Sequence, residues 1–240
     1  MFKKLKKYWN NLTHPVIGEV WELHSVTNHL STNEMNRQYE ITPNRLKSLI
    51  QEHLSKGYEF ISIAEVATRM SLRARFINRK FVSITLDDGF RDNYDIAYPI
   101  FKKYNIPFCV YVTSGFIEGI AYPHNDSSYQ VMSVEQLQEI AQDPLCTIGA
   151  HTIHHCKLAN MDDKSVIKEL VGCKQKLEKW IGTEVVDISS PYGSYTKDII
   201  HHIQELGYKT HVTAWGGSVR KNDSKWAIPR VIIEENRMLK

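Results

Sequence analysis

Residues 80–89 read KFVSITLDDG. Apolar and small residues run unbroken from Phe81 to Leu86, and then two carboxylates and a glycine end the run. A short continuous run rich in β-branched residues is the pattern of a strand buried on both faces. Strands of that kind belong to parallel sheets covered by helices, which gather their chemistry at the C-terminal strand ends. This one stretch therefore predicts a fold class and the rim on which to look for a site.

Strand-like and helix-like segments alternate on both sides of it. Upstream, residues 17–27 read as a strand. Thr42 and Pro43 open a helix that Gly57 ends, with Thr42 as the N-cap. Residues 58–61 form a short strand, and Ser62 with Glu65 makes a capping box for the next helix. Downstream come a helix over 92–105, a buried strand over 107–113 and a long loop over 114–131. Ser133 and Gln136 form a second capping box, for a helix reaching about Asp143. Further strands follow over 145–150, 184–189, 208–214 and 227–233, with helices over 163–181 and 196–206. About eight strands interleaved with about six helices indicate a parallel α/β fold. At 240 residues, a (β/α) barrel fits better than a doubly wound sheet. No Gly-rich turn follows the first strand, so a dinucleotide site has no support. Residues 16–240 read as one domain behind a basic segment, 1–15.

The chain is 42% hydrophobic and 24% charged, which excludes a disordered protein. Its formal charge of +3 is concentrated at one end, in Lys3, Lys4, Lys6 and Lys7. The remainder is near neutral, which argues against a nucleic-acid partner. Phe2, Leu5 and Trp9 share one face of a short amphipathic helix over residues 2–9. Two readings of that segment stay open: a weak contact with an anionic membrane surface, and a solvated terminus. The basic start runs into Tyr8, Trp9, Asn10 and Asn11 rather than an apolar h-region. The expectation is a cytoplasmic protein, with any membrane contact peripheral and at the inner surface. Cys109, Cys146, Cys156 and Cys173 show no CxxC spacing and read as reduced thiols.

Three polar clusters fall at strand ends. In Asp87-Asp88-Gly89, one carboxylate can bind a metal while its neighbour acts as general base; an N-capping turn is the alternative. In IGAHTIHHCKL, residues 148–158, His151 and His155 stand four apart, a spacing that suits two imidazoles on one ion. His154 lies in the same run, so the pairing is not unique, and a solvated loop remains open. In DISSPYGSY, residues 187–195, Pro191-Tyr192-Gly193 turns the chain beside a strand end, where a backbone N–H can face an oxyanion. Two imidazoles plus one carboxylate make a facial triad suited to zinc or another divalent ion.

Together these clusters resemble the polysaccharide deacetylase family, the chitooligosaccharide-deacetylase-like carbohydrate esterases. The resemblance covers residues 41–233. TLDDG at 85–89 is similar to the family's T-F-D-D-G, with Leu86 in place of Phe. His151, Thr152 and His155 match its H-[ST]-x-x-H, and Pro191, Tyr192 and Gly193 keep its third motif. The resemblance implies a distorted, incomplete (β/α) barrel of roughly seven to eight parallel strands. It also implies Asp87 as general base, Asp88, His151 and His155 as metal ligands, and the Tyr192 N–H as an oxyanion donor. Pro191, Tyr192 and Trp215 are the expected substrate contacts, and the implied ion is Zn2+.

Two positions depart from the family. An Arg usually stands two residues before the motif Pro, where it orients the catalytic Asp; here that residue is Ser189. The usual Leu-x-x-His, whose His is the general acid, has no counterpart, since no His follows His211. Arg230, in Ile228-Pro229-Arg230, is the candidate replacement for the Arg, against a surface salt-bridge role. His24, in WELHSV, is the candidate acid, against a structural role. Tyr122, His124 and Tyr129 in the long loop are candidates for stacking on sugar rings. The implied reaction is metal-dependent removal of N-acetyl groups from an amino-sugar glycan, releasing acetate. Two rivals remain: hydrolysis of a non-sugar amide on the same scaffold, and a non-catalytic glycan-binding module.

Overall fold

A computed structural model describes residues 14–71, 79–121 and 129–236. Its strands are β1 (Val16–Leu23), β2 (Ser25–Val26), β3 (Glu40–Ile41), β4 (Glu59–Phe60), β5 (Phe81–Asp88) and β6 (Phe108–Val112). They continue with β7 (Cys146–Ala150), β8 (Asp187–Ser189), β9 (Thr210–Val212), β10 (Val219–Arg220) and β11 (Val231–Ile232). The main sheet runs β10-β1-β5-β6-β7-β8-β9, with β4 pairing β5 and β11 pairing β1. Every pairing in it is parallel except that of β10 with β1. The sheet curls into an incomplete barrel. Its gap is crossed by residues 228–232, which bridge Val212 at Ile228 and pair Trp21 and Glu22 at Val231 and Ile232.

The alternation along β5 shows how the interior is filled. Val82, Ile84 and Leu86 face outward into the large cluster beneath the helices, with Leu46, Phe101 and Leu170. Phe81 belongs instead to a smaller cluster with Val20, Tyr111, Val212 and Ile228, at the lower end of the barrel. Ser83, Thr85 and Asp87 follow at two-residue steps, so one strand carries the interior from an apolar floor to a polar rim.

Local signals hold where the sequence is explicit. Thr42 accepts a hydrogen bond from the Arg45 N–H, and Pro43 starts the helix Pro43–Ser55. Ser133 and Gln136 form the full capping box. Gly182, with φ 74°, ends the long helix Asp163–Ile181.

Other elements differ from the sequence reading. The strand read over 17–27 stops at Leu23, and Ser25–Val26 leaves the main sheet to pair with β3. The pattern missed the break because buried residues continue on both sides of it. The antiparallel β10 pairs over only two positions, too few to show a period. The long loop begins with a one-turn helix, Ser114–Ile117. Cys109 and Cys146 lie on neighbouring strands but pair with Thr147 and Phe108, so their side chains face opposite sides of the sheet. All four cysteines are free. Among the described residues, no helix is long and apolar enough to cross a membrane. The helix expected over 2–9, and Tyr122 and His124, lie outside the described residues.

The floor of the barrel leaves no spare volume. A Cβ added at Gly18 would sit 2.5 Å from the fully buried ring of Phe81. Gly18→Ala is expected to cost about 1–3 kcal/mol through overpacking, measured by urea denaturation.

Candidate active site

The three polar clusters meet over one cavity of about 360 Å³ at the C-terminal rim of the sheet. Its lining includes Glu22, His24, Asp87, Asp88, His151, His155, Tyr192, Trp215 and Arg230. Asp88, His151 and His155 offer one donor atom each within 4.8 Å of one another. Asp88 Oδ1 lies 3.3 Å from His155 Nε2 and 3.7 Å from His151 Nε2. The far side of each imidazole is already engaged. His151 Nδ1–H donates to the Ser189 carbonyl at 2.8 Å, which fixes its tautomer and leaves Nε2 facing the cavity. His155 Nδ1 stands 3.2 Å from the Tyr192 hydroxyl. Two oriented imidazoles and a buried carboxylate fit a divalent metal ion.

The structure resolves the ambiguity among neighbouring histidines. His154 turns away, and its Nδ1–H donates to Glu169 at 2.5 Å. Cys156 is beside Glu169 as well. Burial, with the Glu169 charge added, pushes its thiol up to about 12, and Cys156 is not among the residues whose donor atoms converge with Asp88.

Asp87 sits beside this group, with Oδ2 3.7 Å from His151 Nε2. Arg230 forks onto it, Nη1 to Oδ1 and Nη2 to Oδ2, each at 2.7 Å. The same guanidinium donates to Thr85 Oγ1 at 3.0 Å, Ser189 Oγ at 3.1 Å and the Thr213 carbonyl at 2.8 Å. Arg230 is thus fully buried on Asp87, not on the surface. Ser189, at the position of the resemblance's Arg, carries no charge and instead accepts from Arg230. Burial alone would raise the Asp87 carboxyl. The Arg230 charge and hydrogen bonds, with His151 nearby, hold it well below the usual carboxylate range.

His24 also reaches the cavity, with a ring nitrogen within 4.8 Å of an Asp87 oxygen and a Glu22 oxygen. Burial lowers its pKa to about 4, so the ring is neutral at rest. Tyr192 has φ 58° in a single 3-10 turn, Pro191–Gly193. Pro191 is buried under that turn, while Ser190 and Tyr192 on either side line the cavity. Trp215 is 64% exposed at the rim, and its Nε1–H points to the Tyr192 carbonyl at 3.4 Å. Tyr129 stacks on Phe90 and donates to Glu40 at 2.5 Å, away from this cavity.

Several residues at the site were missed by the sequence reading. Glu22 is buried, with Oε2 3.3 Å from Arg230 Nε. Burial raises its carboxyl to about 8 against the pull of Arg230. His211 donates from Nδ1 to the Trp226 carbonyl and so accepts at Nε2 from Ser190 Oγ, at 2.8 Å, fixing that end of the turn. The alternation along β1, Trp21 outward and Glu22 inward, could have flagged Glu22 as an interior charge.

The polysaccharide deacetylase family model matches residues 77–211, which spans the first two motifs and Pro191-Tyr192-Gly193. The chain belongs to the polysaccharide deacetylase family. A Bacillus subtilis relative, YxkH, is 28% identical over 175 residues, 73% of this chain and 59% of that one. The chain therefore spans less than two thirds of that relative. A Staphylococcus aureus poly-beta-1,6-N-acetyl-D-glucosamine N-deacetylase is 24% identical, across 98% of this chain and 82% of that one. Among solved structures, the Streptococcus pyogenes deacetylase PplD superposes with a TM-score of 0.78 at 24% identity. That match covers 92% of this chain and 94% of the other. It agrees with the incomplete barrel described above.

The Arg230–Asp87 fork predicts a stability effect with a pH signature. Arg230→Met leaves Asp87 buried without its partner, which is expected to cost about 3–5 kcal/mol at pH 7. The folded wild-type Asp87 is depressed, so its contribution is present above the unfolded carboxylate pKa and fades only as pH falls through the lower folded value. In the variant the lone carboxyl takes up a proton sooner. The gap between the two proteins should therefore narrow from pH 7 to pH 4, read by denaturation at each pH.

Proposed function

We propose that this protein is a metal-dependent carbohydrate N-deacetylase acting on an N-acetylglucosamine-containing glycan. The observation that carries the reading is the adjacency of two differently supported carboxylates. Asp88 converges with two imidazoles, while Asp87 is held ionised by Arg230 on the same rim. Family membership and the named activity of the S. aureus relative supply the substrate class. A bare glycan-binding module has no use for a charge-paired base beside a complete ligand set.

Asp88, His151 and His155 would hold the ion, proposed to be zinc on its nitrogen-rich donor set, which supplies Lewis acidity toward the acetamide carbonyl and its attacking water. The remaining work falls to the chain. Asp87 takes the proton from that water, and the Arg230 fork keeps its oxygens aimed into the cavity. The Tyr192 N–H, in its tight turn, faces the developing oxyanion. Trp215 and Tyr192 offer aromatic surface at the rim for sugar rings. The departing amine needs one proton, and the one collected by Asp87 balances the reaction. His24 is placed to deliver it from a ring nitrogen; being neutral at rest, it acts as a carrier rather than a stored acid.

Zinc-loaded protein is expected to release acetate from β-1,6-linked N-acetylglucosamine oligomers, and chelation should abolish release until zinc is restored. Asp87→Asn should lower turnover by at least about 100-fold with zinc still bound. Full activity in His24→Ala would remove His24 from the mechanism. Loaded wild-type protein that frees no acetate from any N-acetylated glycan would overturn the reading.

A weak contact of residues 1–9 with the inner membrane surface is a separate part of the proposal, supported by the alternation of lysines with Phe2, Leu5 and Trp9. Co-sedimentation with anionic liposomes should fall when residues 1–9 are removed; unchanged partitioning would reject it.

A further inference from the structure

We propose that Glu169 is a positioning residue for the divalent ion, holding residues 152–155 in the conformation that turns His155 toward Asp88 and His151. The proposal rests on the reading of those three residues as ligands.

Glu169 lies on the buried face of the helix Asp163–Ile181 and is 5% exposed. A carboxylate at that depth needs hydrogen-bond donors. It takes them from the ligand loop. Oε2 accepts from the N–H of Ile153 at 2.8 Å and of His154 at 3.0 Å. Oε1 accepts from His154 Nδ1–H at 2.5 Å. Two consecutive amides converging on one anionic oxygen form a nest, a backbone shape that a negative charge stabilises.

The loop needs such support because it is strained at both ends. Thr152 has φ 65° and His155 has φ 51°, left-handed conformations that non-glycine residues rarely adopt. Its carbonyls are held from the opposite side. The N–H of Ser114 donates to the Thr152 carbonyl at 3.2 Å, and that of Gly115 to the Ile153 carbonyl at 3.0 Å. A Cβ at Gly115 would meet the Ile153 oxygen at 2.3 Å, so glycine permits this approach. The helix side also accommodates Ile153, whose Cδ1 lies 2.5 Å from where a Gly172 Cβ would sit. Carbonyls gripped from one face and amides from the other leave the backbone at His155 a single course. Because His155 is a ligand, the amide grip acts on metal affinity. Losing such outer support typically weakens metal binding by about 10–100-fold.

The test uses the metal-free full chain titrated with Zn2+ alone, by calorimetry against a competing chelator. Glu169→Ala is expected to fold and to bind zinc about 10–100-fold more weakly. Glu169→Gln, whose amide oxygen still accepts from both N–H groups, should recover most of that loss. The visible spectrum of the Co2+-loaded Ala variant should differ from wild type, reporting a displaced ligand. A folded Glu169→Ala that binds zinc as tightly as wild type would overturn the proposal. Where the Ala variant does not fold, Glu169→Met, which fills similar space but accepts no hydrogen bond, takes its place: it should bind zinc about 10–100-fold more weakly, and wild-type affinity would overturn the proposal. Wild-type protein that binds no zinc would overturn it together with the ligand assignment. Failure of the deacetylase reading alone looks different: zinc binds, Glu169→Ala binds it more weakly, and no acetate appears.

Discussion

A guanidinium enclosed in the upper barrel and forked onto Asp87 sets the terms for everything around it. A buried charge is tolerated only when paired and fully hydrogen-bonded. Arg230 meets that condition by drawing on β5 through Thr85 and Asp87, on β8 through Ser189 and on the chain after β9 through Thr213. Glu22 on β1 places a second carboxyl group at its Nε edge. Arg230 belongs to the segment that crosses the barrel's gap, between the bridge at Ile228 and β11. Asp87 therefore has its charge partner only where residues 228–232 cross between the sheet's two ends. Closure of the barrel and charge control of Asp87 are one event.

The fork also explains how the interior divides. Below it, Phe81, Val20, Tyr111, Val212 and Ile228 fill the barrel and exclude water. Above it, the ionised and hydrogen-bonding groups of the site face the cavity. An apolar floor raises the cost of leaving any of those groups unpaired, and so enforces the hydrogen bonds that fix the His151 tautomer and the Asp87 orientation.

The sequence was most legible where chemistry and local structure coincide. Asp87, Asp88 and His151 stand directly at the ends of β5 and β7, and His155 follows in the next loop, so a strand pattern followed by ligand types points at them without any tertiary knowledge. Arg230 was legible only as a candidate, because its partner is 143 positions away and a lone Arg reads equally as surface charge. Glu169 was illegible for the same physical reason, while Glu22 was marked only by the alternation along β1. A buried carboxylate looks like an exposed one until its donors are known, and those of Glu169 lie across a helix-to-loop contact. The short β10 and β3 could not be read either, since two residues define no period, whereas β11 falls inside the strand read over 227–233.

The departure at Ser189 follows from the same geometry. A charge that orients a carboxylate must occupy a place in space, not a place in the sequence. In this barrel β8 and the 228–232 segment both border Asp87, so either can supply the cation. Two cations there would repel each other in a low-dielectric interior. With Arg230 present, a hydroxyl at 189 is the better neighbour, accepting from Nη2 and approaching Asp87 Oδ2 at 3.3 Å. The backbone shows what this arrangement costs. Of the six described non-glycine residues with positive φ, four are Asp88, Thr152, His155 and Tyr192, at roughly 1–2 kcal/mol each. The positive-φ residues thus lie around Asp87, in Asp88, the 152–155 loop and the Tyr192 turn, while Asp87 itself, paired with Arg230, is outside that set.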